Sequence, residues 1–178
     1  MISRTRALVS LCVTSVVVAT ACSRAGRGDS SQVAHATMRN GAGETIGTAQ
    51  LKGDGQTVQI ELNVSGLTTG AHGVHLHMVG KCEGPAFASA GGHVNPTGAK
   101  HGVKNPQGPH AGDLPNAAGG GTTRYTTKTL RMTMEGGAAT LFDSDGTALV
   151  LHADPDDEMT DPTGNSGARI ACGVIERG

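Results

Sequence analysis

Residues 57–64, TVQIELNV, place Val58, Ile60, Leu62 and Val64 on one side of an extended chain and Thr57, Gln59, Glu61 and Asn63 on the other. An apolar period of two marks a half-buried β-strand, and no segment of the chain carries a convincing helical period. TLRMTM at 129–134 repeats the pattern with Leu130, Met132 and Met134. TIGTAQL at 45–51 is a weaker case, and TALVLH at 147–152 is apolar on both faces until it ends in His152. Turn clusters separate these runs: KGDG at 52–55, EGG at 135–137 and DSDG at 143–146. The chain therefore reads as all-β. Its aromatic residues are Phe87, Phe142 and Tyr125, with no Trp. The core must be built from Val, Ile, Leu, Met and Ala, which bury less area each, so a cross-link or a bound metal has proportionally more to contribute.

Two long stretches interrupt the strand rhythm. Residues 78–124 are rich in Gly, Pro, Asn and His, and residues 153–168 in Asp, Pro and Gly. Structureless loops of that length inside a domain are functional or disordered. The first carries His93, His101 and His110, which favours function. A β-sandwich or barrel with two elaborated loops is the economical expectation.

The 178 residues suit one domain and a tail. Arg4 and Arg6 precede ALVSLCVTSVVVATAC, an apolar run too short to span a bilayer comfortably. With the small residues Ala19 and Ala21 before Cys22, residues 1–21 read as an export signal. The A-T-A-C junction looks like a bacterial lipobox, in which Cys22 would carry lipid as the first mature residue; ordinary cleavage beside an incidental cysteine is the alternative. Residues 22–34 then form a Ser/Gly/Arg tether, with the domain at 35–178. Loss of Arg4 and Arg6 leaves 12 of the 14 basic residues against 15 acidic ones, a net charge of −3, which argues against a nucleic-acid partner. Cys12 leaves with the signal. Cys82 and Cys172 remain, and two cysteines in an exported domain most often make one disulfide.

Residues 70–82, GAHGVHLHMVGKC, crowd three of the eight histidines into six positions. On a strand His75 and His77 point to the same face, with Val74 and Leu76 turned into the core. An H-x-H pair alone is equally a pair of polar strand residues. What changes its weight is the remainder: His93 in GGHVNP, His101 in AKHGV, His110 and Asp113 in PHAGDLP, and His152 in LVLHADPDD.

In order, HGVHLH, AGGHVNP, KHG, PHAGDLPN, LVLHADPDD and GARIACGVI make residues 34–178 resemble copper/zinc superoxide dismutase, particularly its secreted bacterial, lipoprotein-like branch. The resemblance implies an eight-stranded Greek-key β-sandwich or flattened barrel with a metal-binding loop and an electrostatic loop. It assigns His75, His77, His93 and His152 to copper, and His93, His101, His110 and Asp113 to zinc, with His93 bridging. Four imidazoles in a tetragonal array suit Cu(II), and three imidazoles with a carboxylate suit tetrahedral Zn(II). The resemblance also pairs Cys82 with Cys172, places Arg169 beside copper, and makes Asp156 the carboxylate that holds one ligand histidine of each metal.

The implied reaction is disproportionation of superoxide to dioxygen and hydrogen peroxide, with copper as the redox metal, His93 as proton carrier and Arg169 as anion guide. At a mature net charge of −3 the attraction has to be local. His72 is expected to serve packing and hydrogen bonding, His35 to be a solvated strand residue, Asp154 and Asp157 to be loop charges, and Met38, Met132 and Met134 to be core. Pro162 stands where a steering lysine is common, Met78 where an acidic residue is common, and the Cys82–His93 spacing is long, as in bacterial members. The implied setting is the periplasm or cell envelope, with membrane contact through the lipid alone, and a homodimer is a further expectation. A lipid-anchored copper- and zinc-binding protein without turnover is the second reading.

Overall fold

The computed structural model describes residues 32–178; the expected signal at 1–21 and Cys22 lie outside them. Eight strands carry the described residues: β1 (Gln32–Asn40), β2 (Thr45–Gly53), β3 (Val58–His72), β4 (Val74–His77), β5 (Ala117–Thr129), β6 (Ala148–His152), β7 (Arg169–Val174) and β8 (Glu176–Arg177). All pair antiparallel in one sheet of order β4-β6-β7-β1-β2-β3-β5, with β8 on β1. β3 is sixth in that order and β4 first, yet only Gly73 joins them. A sheet whose distant strands are one residue apart must curl back on itself, which gives a half-barrel. The expectation of an eight-stranded all-β fold holds.

Alternation fixes the inner face. Val58, Ile60, Leu62 and Val64 are buried, Gln59 and Glu61 are partly covered, and Asn63 is exposed. β6 is buried at every position, as its two-sided apolar character requires. Met38, Met132 and Met134 fill the core, where their flexible thioethers pack between Ala, Val and Leu. A smaller cluster of Phe87, Ala90, Ala148, Val150 and Cys172 sits under the first long loop.

Three sequence expectations are corrected. β1 begins at Gln32, so the last residues of the 22–34 tether belong to the sheet; Ala34 is buried and pairs with Leu51 and Arg177. Within the expected 129–134 strand, Thr129 closes β5 and residues 130–134 are not in a strand. β3 starts at Val58, opposite Thr129, so residues beyond Thr129 have no partner on β3; Met132 and Met134 still turn inward while Leu130 is 76% exposed. The loop expected over 78–124 ends at Ala117, where β5 begins along the extended β3. GGGTTRYTT gives little apolar alternation, so this strand is dictated by its partner.

Cys82 and Cys172 form a disulfide, with Cα atoms 5.6 Å apart and a sequence separation of 90. It ties the first long loop to β7, three residues from Arg169.

Candidate metal centre

β4 supplies His75 and His77, and β6 ends on His152, where a register shift after Leu151 re-aims the side chain. Two loop segments dock beside β4: His93 opposite His77, and Asp113 opposite His75. Gly112 permits this approach, since a Cβ there would lie 2.2 Å from the Leu76 carbonyl oxygen. His75, His77, His93, His101, His110, Asp113, His152 and Asp156 are all buried.

Hydrogen bonds fix which ring nitrogen is free. His77 Nδ1–H donates to the Gly91 carbonyl (2.9 Å), His152 Nδ1–H to Gly167 (3.3 Å), and His75 Nε2–H to Asp156 Oδ2 (2.6 Å). The opposite nitrogens, His77 Nε2, His152 Nε2 and His75 Nδ1, have no partner, and neither has His93 Nε2. One ring nitrogen from each of these four residues lies within 4.8 Å of the others. Four buried lone pairs converging without donors are the arrangement a copper ion would satisfy.

The second cluster forms around one oxygen. Asp113 Oδ2 accepts from the amides of Gly102 and His110, both at 2.9 Å. Asp113 Oδ1 faces His93 Nδ1 at 2.9 Å, His101 Nδ1 at 3.1 Å and His110 Nδ1 at 3.2 Å, and His93 Nδ1 is 3.4 Å from His110 Nδ1. A tetrahedron built on Zn–N bonds of 2.0–2.1 Å has edges of about 3.3 Å, so this donor set fits zinc. His75 also lies close to His93, His101 and Asp113. Its Nε2 is committed to Asp156, however, and its Nδ1 belongs with the first set, which leaves His110 as the third imidazole here. His93 is the ring common to both clusters.

Asp156 accepts from His101 Nε2 (2.9 Å) as well as from His75, so one carboxylate holds a ring of each cluster. Asn116 pins it from behind: its Nδ2 donates to the Asp156 carbonyl and its Oδ1 accepts the Asp156 amide, both at 2.8 Å. The asparagine ends the quoted PHAGDLPN motif, but nothing in the sequence marked its role. Gly164 packs against the same pair, and a Cβ there would collide with both Asp156 and His101.

Burial sets the charge state. Desolvation lowers the imidazolium pKa of His77 to about 2, of His152 to about 3 and of His93 to about 4, and pushes His75 in the same direction. These rings are neutral at pH 7 and ready to ligate. For His101 burial acts the same way, but Asp113 and Asp156 outweigh it and raise it to about 9. Burial opposes ionisation of Asp113 and Asp156, yet hydrogen bonds from His101 and from His93 or His75 keep both carboxyls well below their usual range.

Arg169 opens β7 and donates through Nη1 to the Phe87 carbonyl and through Nη2 to the Gly91 carbonyl, both at 2.6 Å. Phe87 is in the left-handed region (φ 54°), a sparsely populated conformation for an aromatic residue. Neither carbonyl was identifiable from the sequence. A cleft of about 410 Å³ opens over the centre, lined by Met78, His93, His110, Asp161 and Arg169 among others.

Residues 45–175 match the family described as copper/zinc superoxide dismutase (SODC). The chain belongs to the copper/zinc superoxide dismutase family. It is 48% identical over 146 residues to Cu-Zn superoxide dismutase 2 of Aquifex aeolicus, covering 80% of this chain and 85% of that protein. The Cu-Zn superoxide dismutase of Caulobacter vibrioides is 39% identical over 148 residues, covering 80% and 85%. The crystal structure of a SOD-like protein from Bacillus subtilis superposes with a TM-score of 0.76 at 37% identity, covering 79% of this chain and 96% of that one.

The other expectations for this superoxide dismutase family member can be placed on its fold. His72 is buried, its Nδ1 2.8 Å from the His152 carbonyl oxygen and its Nε2 3.1 Å from that of Thr68, which makes it scaffolding behind the first cluster. His35 is exposed beside Glu176. Asp154 is exposed, and Asp157 organises its own loop through the amides of Met159 and Thr160.

Proposed function

We propose that this chain removes superoxide, converting it to dioxygen and hydrogen peroxide, with copper held by His75, His77, His93 and His152 and zinc by His93, His101, His110 and Asp113. The observation that supports this most is that one ring, His93, presents Nε2 to three other unpartnered imidazole nitrogens and Nδ1 to the Asp113 cluster. Copper there would supply a one-electron redox couple, and zinc a fixed charge.

The chain's own residues supply the rest. A ring that serves both sites must give up its second proton, and when it serves only the Asp113 side its Nε2 can hold a proton. That atom faces the copper set, so the proton is placed for transfer to a reduced oxygen species. Arg169, fixed by two carbonyls at the cleft, keeps further N–H donors for a small anion. Asp156 and the Gly91 and Gly167 carbonyls hold the rings in the tautomers that ligation needs.

The disulfide favours an oxidising compartment. With the 1–21 signal and Cys22, it supports an exported, lipid-anchored protein that protects the cell envelope, and a homodimer remains part of the proposal. The test is superoxide removal by the domain loaded with copper and zinc, set against the same domain stripped of metal. Fast, metal-dependent removal is expected. Full metal occupancy without removal would favour the storage reading, although storage would need neither a shared ring nor a cleft arginine.

A further inference from the structure

The imidazoles of the two clusters follow a rule with one exception. Apart from the shared His93, every ring but His110 gives its outer nitrogen to a close protein acceptor: His75 and His101 to Asp156, His77 to Gly91 and His152 to Gly167. His110 turns Nδ1 towards Asp113 Oδ1, but its outer Nε2 has no acceptor at such a distance among the described residues. What faces it is the carboxylate of Asp161, with Oδ1 at 3.8 Å.

That carboxylate is already tied to the same cluster. Asp161 Oδ1 accepts the His101 backbone amide at 2.8 Å, and Oδ2 pairs with Lys100 Nζ at 3.1 Å. Asp161 comes from the same 153–168 loop as Asp156, so this loop presents two carboxylates to the zinc-side histidines. Asp156 takes the ring of His101, and Asp161 takes its backbone and faces the ring of His110. The pair with Lys100 offsets the negative charge that Asp161 would otherwise bring to a cleft suited to anions.

We infer that Asp161 is a positioning residue for zinc: it is the outer-nitrogen partner of His110, and it fixes His110 and His101 relative to each other. A ring that ligates through Nδ1 carries its proton on Nε2, where a carboxylate orients it and raises its basicity. Closing the 3.8 Å gap to hydrogen-bond distance requires only a small shift of the His110 ring towards Asp161. The inference rests on the zinc assignment proposed above.

The test uses the full exported chain with copper and zinc bound, as parent, Asp161→Ala and Asp161→Asn. Zinc transfer to a chromogenic chelator is timed, and the visible spectrum is recorded after cobalt replaces zinc. Loss of an outer partner lowers metal affinity by about 10–100-fold, so Asp161→Ala should release zinc faster by a comparable factor and shift the cobalt bands. Asp161→Asn keeps an oxygen for the His101 amide without the charge, and should fall between the two. Copper affinity should stay within about twofold of the parent, since the polar partners of Asp161 are Lys100, the His101 amide and His110, all on the zinc side. Parental zinc release and cobalt spectra in both variants would overturn the inference, as would an equal loss of copper and zinc together with a lower melting temperature. A parent that binds no zinc would overturn the zinc assignment itself, and the inference with it.

Discussion

Replacing Asp156 with Ala should weaken both metal sites at once. The carboxylate is 2% exposed and accepts from His75 and His101, whose side chains are fully buried. Its removal leaves two ring N–H groups without partners and without access to water. An unsatisfied buried donor costs about 1–3 kcal/mol, so the metal-free domain should lose about 2–6 kcal/mol. That is a large share of the 5–15 kcal/mol typical of a domain. Both rings also lose what fixes their orientation, which is worth about 10–100-fold in metal affinity. Because one carboxylate serves a ring of each cluster, copper and zinc affinities should fall together. Asp156→Asn keeps one oxygen that can reach both rings, since Oδ2 lies 2.6 Å from His75 Nε2 and 3.0 Å from His101 Nε2, and should fall between the parent and Asp156→Ala in both affinities. Competition titrations against chelators of known affinity measure both constants, and thermal melting of the metal-free protein measures the stability change. Asp154→Asn, at an exposed site two residues away, should match the parent. Parental affinity for both metals in Asp156→Ala, or a loss confined to one metal, would refute the bridging role.

Arg169→Ala should keep both metals but slow superoxide removal by about tenfold or more and flatten its dependence on ionic strength, as measured by superoxide decay across a salt series. Arg169→Lys should recover little, because a single ammonium nitrogen lacks the planar fork whose two nitrogens donate separately to the Phe87 and Gly91 carbonyls. Cys82→Ser opens a 90-residue loop and should lower the melting temperature, with a chain-entropy value of about 4–5 kcal/mol as the upper guide. The metal-free protein should lose stability on acidification: His77, His93 and His152 titrate far below the 6.5 of the unfolded chain, so the unfolded state takes up protons first. Each of the three costs up to about 2 kcal/mol between pH 6.5 and 5. His101 has the opposite sign, since its stabilisation is complete below pH 6.5 and is lost as pH rises through about 9. Calorimetry across pH should therefore place the melting maximum between these limits.

The sequence disclosed those parts of the fold that hydrophobic burial dictates. Val58, Ile60, Leu62 and Val64 were legible because a half-buried strand alternates, and His75 and His77 because that alternation places them together. β5 was not legible, since its residues are strand-forming through the length of β3 and not through their own pattern. Leu130 misled for a related reason: alternation continued past the point where the partner strand had ended. At the centre, the ring-bearing residues were readable from motif order and chemistry. The backbone carbonyls of Phe87, Gly91 and Gly167, and the pinning of Asp156 by Asn116, arise from loop conformation, which side-chain identity does not encode.

The central claim is that His93 joins two metal sites through one ring, and electron paramagnetic resonance of protein carrying Cu(II) with Co(II) in place of zinc tests it most directly. A shared imidazolate couples the two spins, so the Cu(II) signal seen in the copper/zinc form should be strongly suppressed when cobalt replaces zinc. An unchanged Cu(II) signal at full occupancy of both metals would contradict it.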